Sequence, residues 1–138
     1  MNKQKIDPSI FKTYDIRGIY PDQIDSKVAY RIGRAYAHLV KSEVKNKDEI
    51  KVAVSNDMRL SSPQLKGFLI KGLIDSGITV VDIGFNSTPT FYFAVGYLEL
   101  DGGIQVSASH NPKQYNGFKL VRANAVPISG DSGIKEIR

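Results

Sequence analysis

The 138 residues are enough for one domain with a buried core, and the absence of cysteine excludes disulfides and thiolate metal sites. A hydrophobic share of 41% and a charged share of 24% are those of a folded globular protein, and no apolar run is long enough for a membrane helix or a secretory signal. Lysine and arginine number 19 against 14 acidic residues, an excess of +5 that could serve nucleic acid, an anionic membrane or a small phosphorylated ligand, or be balanced by an acidic part of a longer chain. Spread along the sequence without a recognised nucleic-acid module, it gives no reason to expect nucleic acid or membrane as partner, and the lack of cysteine fits a cytoplasmic setting.

Helix and strand signals alternate along the chain. "DSKVAYRIGRAYAHLVKSE" places Val28, Ile32, Ala35 and Leu39 at helical spacing, with Asp25 or Ser26 as the cap. "EIKVAV" reads as a buried strand. In "SSPQLKGFLIKGLIDSG" Ser62 is the expected cap, Pro63 lies in the first turn, and Gly77 ends the helix. Its expected buried stripe is Leu65, Phe68, Leu69 and Leu73. "ITVVDIGF" is the next strand, and Thr88 with Pro89 opens the helix "PTFYFAVGYLEL", whose Tyr92 and Tyr97 read as core and surface residues. "GGIQVSAS" is a third strand. "YNGFKLV" carries an Asn-Gly turn signal ahead of a fourth.

The first three strands are separated by helices and should pair in parallel, whereas the short link to the last forces it antiparallel. The expected fold is α/β: a small mixed, mostly parallel sheet of about four strands with helices on both faces. "SGDSGIKEIR" begins like a capped helix, so residues 1–138 read as an N-terminal piece of a longer, multi-domain chain.

In such sheets ligands gather beyond the carboxyl ends of the parallel strands. Three polar loops leave those ends: "SNDMRLSS", "NSTPT" and "SASHNP". In the last, Ser109 and His110 are neighbours whose side chains diverge in extended backbone, so His110 is poorly placed to deprotonate Ser109. There is no G-x-S-x-G elbow, which argues against a hydrolase. Asn111 before Pro112 is pushed out of helical conformation, and a rigid polar turn without chemistry is the plain alternative. Lys119 faces away from Phe118 and Leu120 and could reach the same cleft, or serve only as an edge-strand charge. Arg17, in an expected loop, is either a solvated charge or an anion clamp. Asp57 and Arg59 read as an Asx turn and a loop ion pair.

"TYDIRG" (13–18), "NDMRLSS" (56–62), "STPT" (87–90) and "SASHNPKQYNGFKL" (107–120), in this order, resemble domain 1 of the α-D-phosphohexomutases, the phosphomannomutase/phosphoglucomutase superfamily. The resemblance implies phosphoryl transfer between the 1- and 6-positions of a hexose, through a phosphoserine and a hexose 1,6-bisphosphate intermediate. It implies Ser109 as the phosphoserine, with His110, Lys119 and Arg17 in the reaction and Tyr14 and Asn111 at the substrate. It implies Mg²⁺ bound in part through the Ser109 phosphate. The Asp-Gly-Asp-Gly-Asp loop that supplies the other metal ligands in the family is absent here, so those ligands, and activity itself, are expected from further domains of the same polypeptide. The alternative is a standalone, non-catalytic binding module on the same scaffold.

Overall fold

The computed structural model describes residues 6–12, 15–44, 47–107, 112, 114–126 and 128. Five strands form one sheet in the order β1-β5-β4-β2-β3. They are β1 (Ile16–Ile19), β2 (Lys51–Asn56), β3 (Thr79–Phe85), β4 (Gly102–Val106) and β5 (Tyr115–Arg122). β2 runs parallel to both β3 and β4, while β5 is antiparallel to β4 and to β1. The sheet is therefore the mixed, helix-flanked one expected, with two corrections. A fifth strand is present, because "IRGI" pairs with residues 115–118 instead of forming a loop. β5 is consequently an interior strand, so Lys119 is not an edge-strand charge.

Three helices cover the sheet: α1 (Ser26–Glu43), α2 (Ser62–Asp75) and α3 (Thr88–Tyr97). Val52, Val54, Ile104, Val106, Phe118 and Leu120 pack against α1 and α2 in the main core. Ala53 and Val121 point the other way, onto Phe91 and Val95 of α3. Alternation along the strands thus sends one set of residues to each helical layer. Lys119, between Phe118 and Leu120, is delivered to the α3 side.

The caps differ in detail from the sequence reading. Asp25 caps α1, its side chain accepting from the Val28 amide. α2 begins at Ser62, so Ser61 and not Ser62 holds the cap position, and it makes no side-chain cap bond: the Ser61 hydroxyl accepts from the Asn116 amide at 2.7 Å, while the Ser62 hydroxyl donates to Asp57 at 2.6 Å. Ser87, not Thr88, caps α3, since the Thr88 hydroxyl donates to Gln105 at 2.7 Å. Leu65, Leu69 and Leu73 are fully buried but Phe68 is 41% exposed. α1 crosses α2 at Gly72, which turns the buried stripe towards that side and leaves Phe68 at its margin. Asn116-Gly117 is no turn but lies inside β5, where a Cβ on Gly117 would collide with the Ile16 carbonyl of β1. Spread along the sequence, some of the basic residues nevertheless gather in space: Lys27, Arg31, Arg34 and Lys41, with His38, share the exposed face of α1. No helix among the described residues is long and apolar enough to cross a membrane. The helix expected near the C-terminus lies outside the described residues.

Tyr36 of α1 fastens the helical layer to the sheet. Its fully buried hydroxyl donates to the Val121 carbonyl at 2.6 Å, in space that only a glycine at 102 leaves open. Burial holds this phenol well above its ordinary pKa, so it stays protonated and donating. Tyr36→Phe should cost about 1–3 kcal/mol, because a buried carbonyl loses its donor. Urea denaturation measures this, and an unchanged midpoint would show the bond to be dispensable.

Candidate functional site

A cleft of about 1200 Å³ opens at the carboxyl ends of β2, β3 and β4, where the parallel-strand rule places it. Gln105, Ser107 and Lys119 line it from the sheet, the 57–61 loop forms one wall, and Asn86, Ser87 and Thr88 form the other. Two helix amino termini, those of α2 and α3, open at these walls, and their amide dipoles favour an anion.

A polar row crosses the α3 side of the sheet here. Ser55 pairs with Gln105 and Gln105 with Lys119, giving successive residues on neighbouring strands. Gln105 accepts from the Thr88 hydroxyl at 2.7 Å and donates to the Asn86 carbonyl at 3.0 Å. It therefore locks the start of α3 to the centre of the sheet. At the end of the row Asp15 lies 3.8 Å from the Lys119 ammonium and 2.9 Å from Arg17 Nε. Arg17 thus joins the Lys119 cluster through Asp15, and it sits on β1 instead of in the loop expected from the sequence. Lys119 lines the cleft directly, with its side chain 20% exposed.

The wall after β2 is a closed hydrogen-bond network. The Asp57 carboxylate accepts from the Arg59 amide at 3.1 Å and from its Nε at 3.3 Å, which is the Asx turn and ion pair read from the sequence. Arg59 Nη1 reaches further and donates to the carbonyls of Pro112 at 2.8 Å and Tyr115 at 3.1 Å. The buried Asn116 amide donates to the hydroxyls of Ser61 and Ser62 at 2.7 and 3.0 Å. At the other end of the β4–β5 connection, the Asp57 amide donates to the Val106 carbonyl at 3.1 Å and the Ser107 amide to that of Gly117 at 2.9 Å. Both ends of the connection carrying "SASHNP" are thereby tied to fixed elements. Met58 and Leu60 stand at the lip, 80% and 100% exposed.

Of the residues singled out in the sequence, Arg17 and Lys119 are brought together. Ser109, His110, Asn111 and Tyr14 lie outside the described residues. Sequence reasoning passed over Asp15 and Gln105, and gave Thr88 and Asn116 only the parts of a helix start and a turn. Asp15 had a signal: two residues from Arg17 in extended backbone, it must share that side chain's face. Gln105 had a weaker one, as the lone amide in an apolar strand. Among the described residues no three His, Cys, Asp or Glu side chains gather into a cation site.

Residues 8–138 match the family described as phosphoglucomutase/phosphomannomutase, alpha/beta/alpha domain I. The chain is 53% identical over 128 residues to a phosphomannomutase of Vibrio cholerae, with 93% of this chain and 27% of that protein covered. It is 49% identical to a phosphomannomutase of Klebsiella pneumoniae, where the match spans 93% of this chain and 77% of the relative. Among solved structures, a phosphoglucomutase/phosphomannomutase family protein from Burkholderia thailandensis superimposes with a TM-score of 0.85 at 40% identity, covering 96% of this chain and 30% of the other. The chain thus spans about a quarter of the Vibrio relative's length. On the agreement of sequence and fold, this chain belongs to the phosphoglucomutase/phosphomannomutase family, and the part of that family it matches is domain I.

Proposed function

We propose that the chain is the phosphoserine-bearing domain of a mutase that interconverts hexose 1-phosphate and hexose 6-phosphate through a hexose 1,6-bisphosphate. The observation that carries this reading is the placement of Lys119: a lysine inside a polar cleft, held on an interior strand beside the connection that contains Ser109. The similarity to phosphomannomutases supplies the substrate class.

In this reading the phosphoryl group passes from Ser109 Oγ to a sugar hydroxyl. The Ser–O–P bond breaks as the sugar O–P bond forms, and the proton leaves the attacking hydroxyl for a nearby base. In the return step the other phosphate of the bisphosphate restores phosphoserine. Charge spread over the oxygens of the moving group needs fixed positive partners. Lys119 and the amide-rich starts of α2 and α3 supply them, with Arg17 behind. Mg²⁺, held through the Ser109 phosphate and by ligands outside this chain, would neutralise further charge on that group. The Asp57–Arg59 network would hold the connection steady while the bisphosphate turns over.

Incubation of the whole polypeptide that carries this domain with a hexose 1,6-bisphosphate and Mg²⁺, followed by peptide mass spectrometry, tests the central claim. One phosphoryl group is expected on the peptide containing Ser109, located to that residue. Phosphorylation at Ser107 alone, or at no serine, would reject the assignment.

A further inference from the structure

The two cations singled out by the sequence share a carboxylate. Asp15 retains only 7% of its surface, and its two oxygens face Arg17 Nε at 2.9 Å and Lys119 Nζ at 3.8 Å. Burying an aspartate next to cations meant for phosphate is at first sight counterproductive. Its negative charge repels the ligand, and through-space electrostatics alone says that removing it should tighten anion binding. What the carboxylate can supply is geometry. A lysine ammonium sits on a flexible stem and needs a fixed counterpart to hold one direction. Gln105, its neighbour across the sheet, is already engaged with Thr88 and the Asn86 carbonyl. Among the described residues Asp15 is the carboxylate that an ion pair sets beside Lys119, and it stands just before β1, clamped from the chain side by the Lys12 amide donating to its carbonyl at 2.9 Å.

We propose that Asp15 is a positioning residue: it joins Lys119 and Arg17 into one rigid dicationic unit, so that a phosphoryl group in the cleft meets an oriented donor instead of a mobile one. The inference rests on the phosphosugar reading above. Two bridges to one carboxylate, one from each neighbouring strand, fix the unit to β1 and β5 together.

The test uses inorganic phosphate as the probe and the whole mutase polypeptide that carries this domain, with binding followed by calorimetry at low salt. Asp15→Asn keeps the shape and removes the charge. Positioning predicts weaker phosphate binding, by about threefold or more, whereas bare charge removal predicts tighter binding. The loss should vanish in a Lys119→Ala background, because a residue acting through Lys119 has nothing left to position. A merely structural role would cost the same in both backgrounds. Unchanged or tighter binding by Asp15→Asn, or an equal loss with and without Lys119, overturns the proposal. If Asp15→Asn does not fold, Asp15→Glu decides, since it keeps the charge and displaces it: binding as tight as in the unmodified protein counts against positioning. Mutase turnover is assayed in parallel. Turnover with unaltered phosphate affinity in the variants defeats this proposal alone, while no phosphate binding and no turnover by the unmodified protein defeats the phosphosugar reading and this inference with it.

Discussion

On the proposed mutase reading, Lys119→Ala made in the complete polypeptide that carries this domain is expected to lower hexose-phosphate turnover by about 10²-fold or more, the range found when one fixed electrostatic donor is lost at a transition state. The lysine lies on an interior strand, fifth of the eight residues of β5, so neighbours on both sides fix its backbone. Its ammonium is at the cleft and its carboxylate partner is buried. The effect should fall mainly on kcat, because the charge it meets is greatest while the phosphoryl group is in flight. Stability should change little. Asp15 keeps its 2.9 Å contact with Arg17, so no buried carboxylate is stranded. Steady-state kinetics beside a thermal melt separates the two effects. Near-normal kcat would remove Lys119 from the reaction, and loss of kcat together with a collapsed melting temperature would make its role structural.

Gly72→Val should have the largest effect on stability. α1 and α2 touch backbone to backbone where Gly33 meets Gly72. A Cβ on Gly72 would fall on the Tyr30 carbonyl oxygen, and one on Gly33 would come within 2.5 Å of the Leu69 carbonyl oxygen. No rotamer relieves a clash with main chain, so the helices must separate and open the core between them. A cost of at least about 3 kcal/mol is expected, lowering the melting temperature by roughly 10 °C for a domain of this size. Gly67 on the same helix is the control. A Cβ there meets nothing within 4 Å, so Gly67→Ala should instead stabilise by about 0.5–1 kcal/mol through helix propensity. Circular dichroism melts of the two variants settle the matter: Gly72→Val melting within about 2 °C of the unmodified chain would refute the backbone-contact account.

Phe93 and Tyr97 of α3 stack on each other at 5.4 Å in solvent, 67% and 74% exposed. They extend the apolar character of α3 to its outer side, while Phe91 and Val95 bury the inner one. The cleft end of the same helix is polar. This division explains why α3 carries no amphipathic signal by periodicity although its start is specifically anchored through Thr88 and Gln105.

The sequence by itself determined the order of elements, the parallel core of the sheet and the reversed direction of β5, because these follow from periodicity, caps and the length of connections. It also picked out Lys119 and Arg17, whose strand and motif contexts are local. Tertiary structure alone decided the rest. "IRGI" is too short and too mixed to announce a strand, and it becomes one by pairing with β5, with Gly117 admitting its backbone. That pairing converts Arg17 from a loop charge to a strand residue and Lys119 from an edge charge to an interior one. Phe68 loses its place in the core to the glycine crossing of α1 and α2, a contact between residues far apart in sequence. Asp15 belongs to the site only because two strands from opposite ends of the chain are neighbours, bringing its carboxylate to Lys119. Local signals carry the elements, but which charges face each other is a property of pairing across the sheet, and no spacing along one chain contains it.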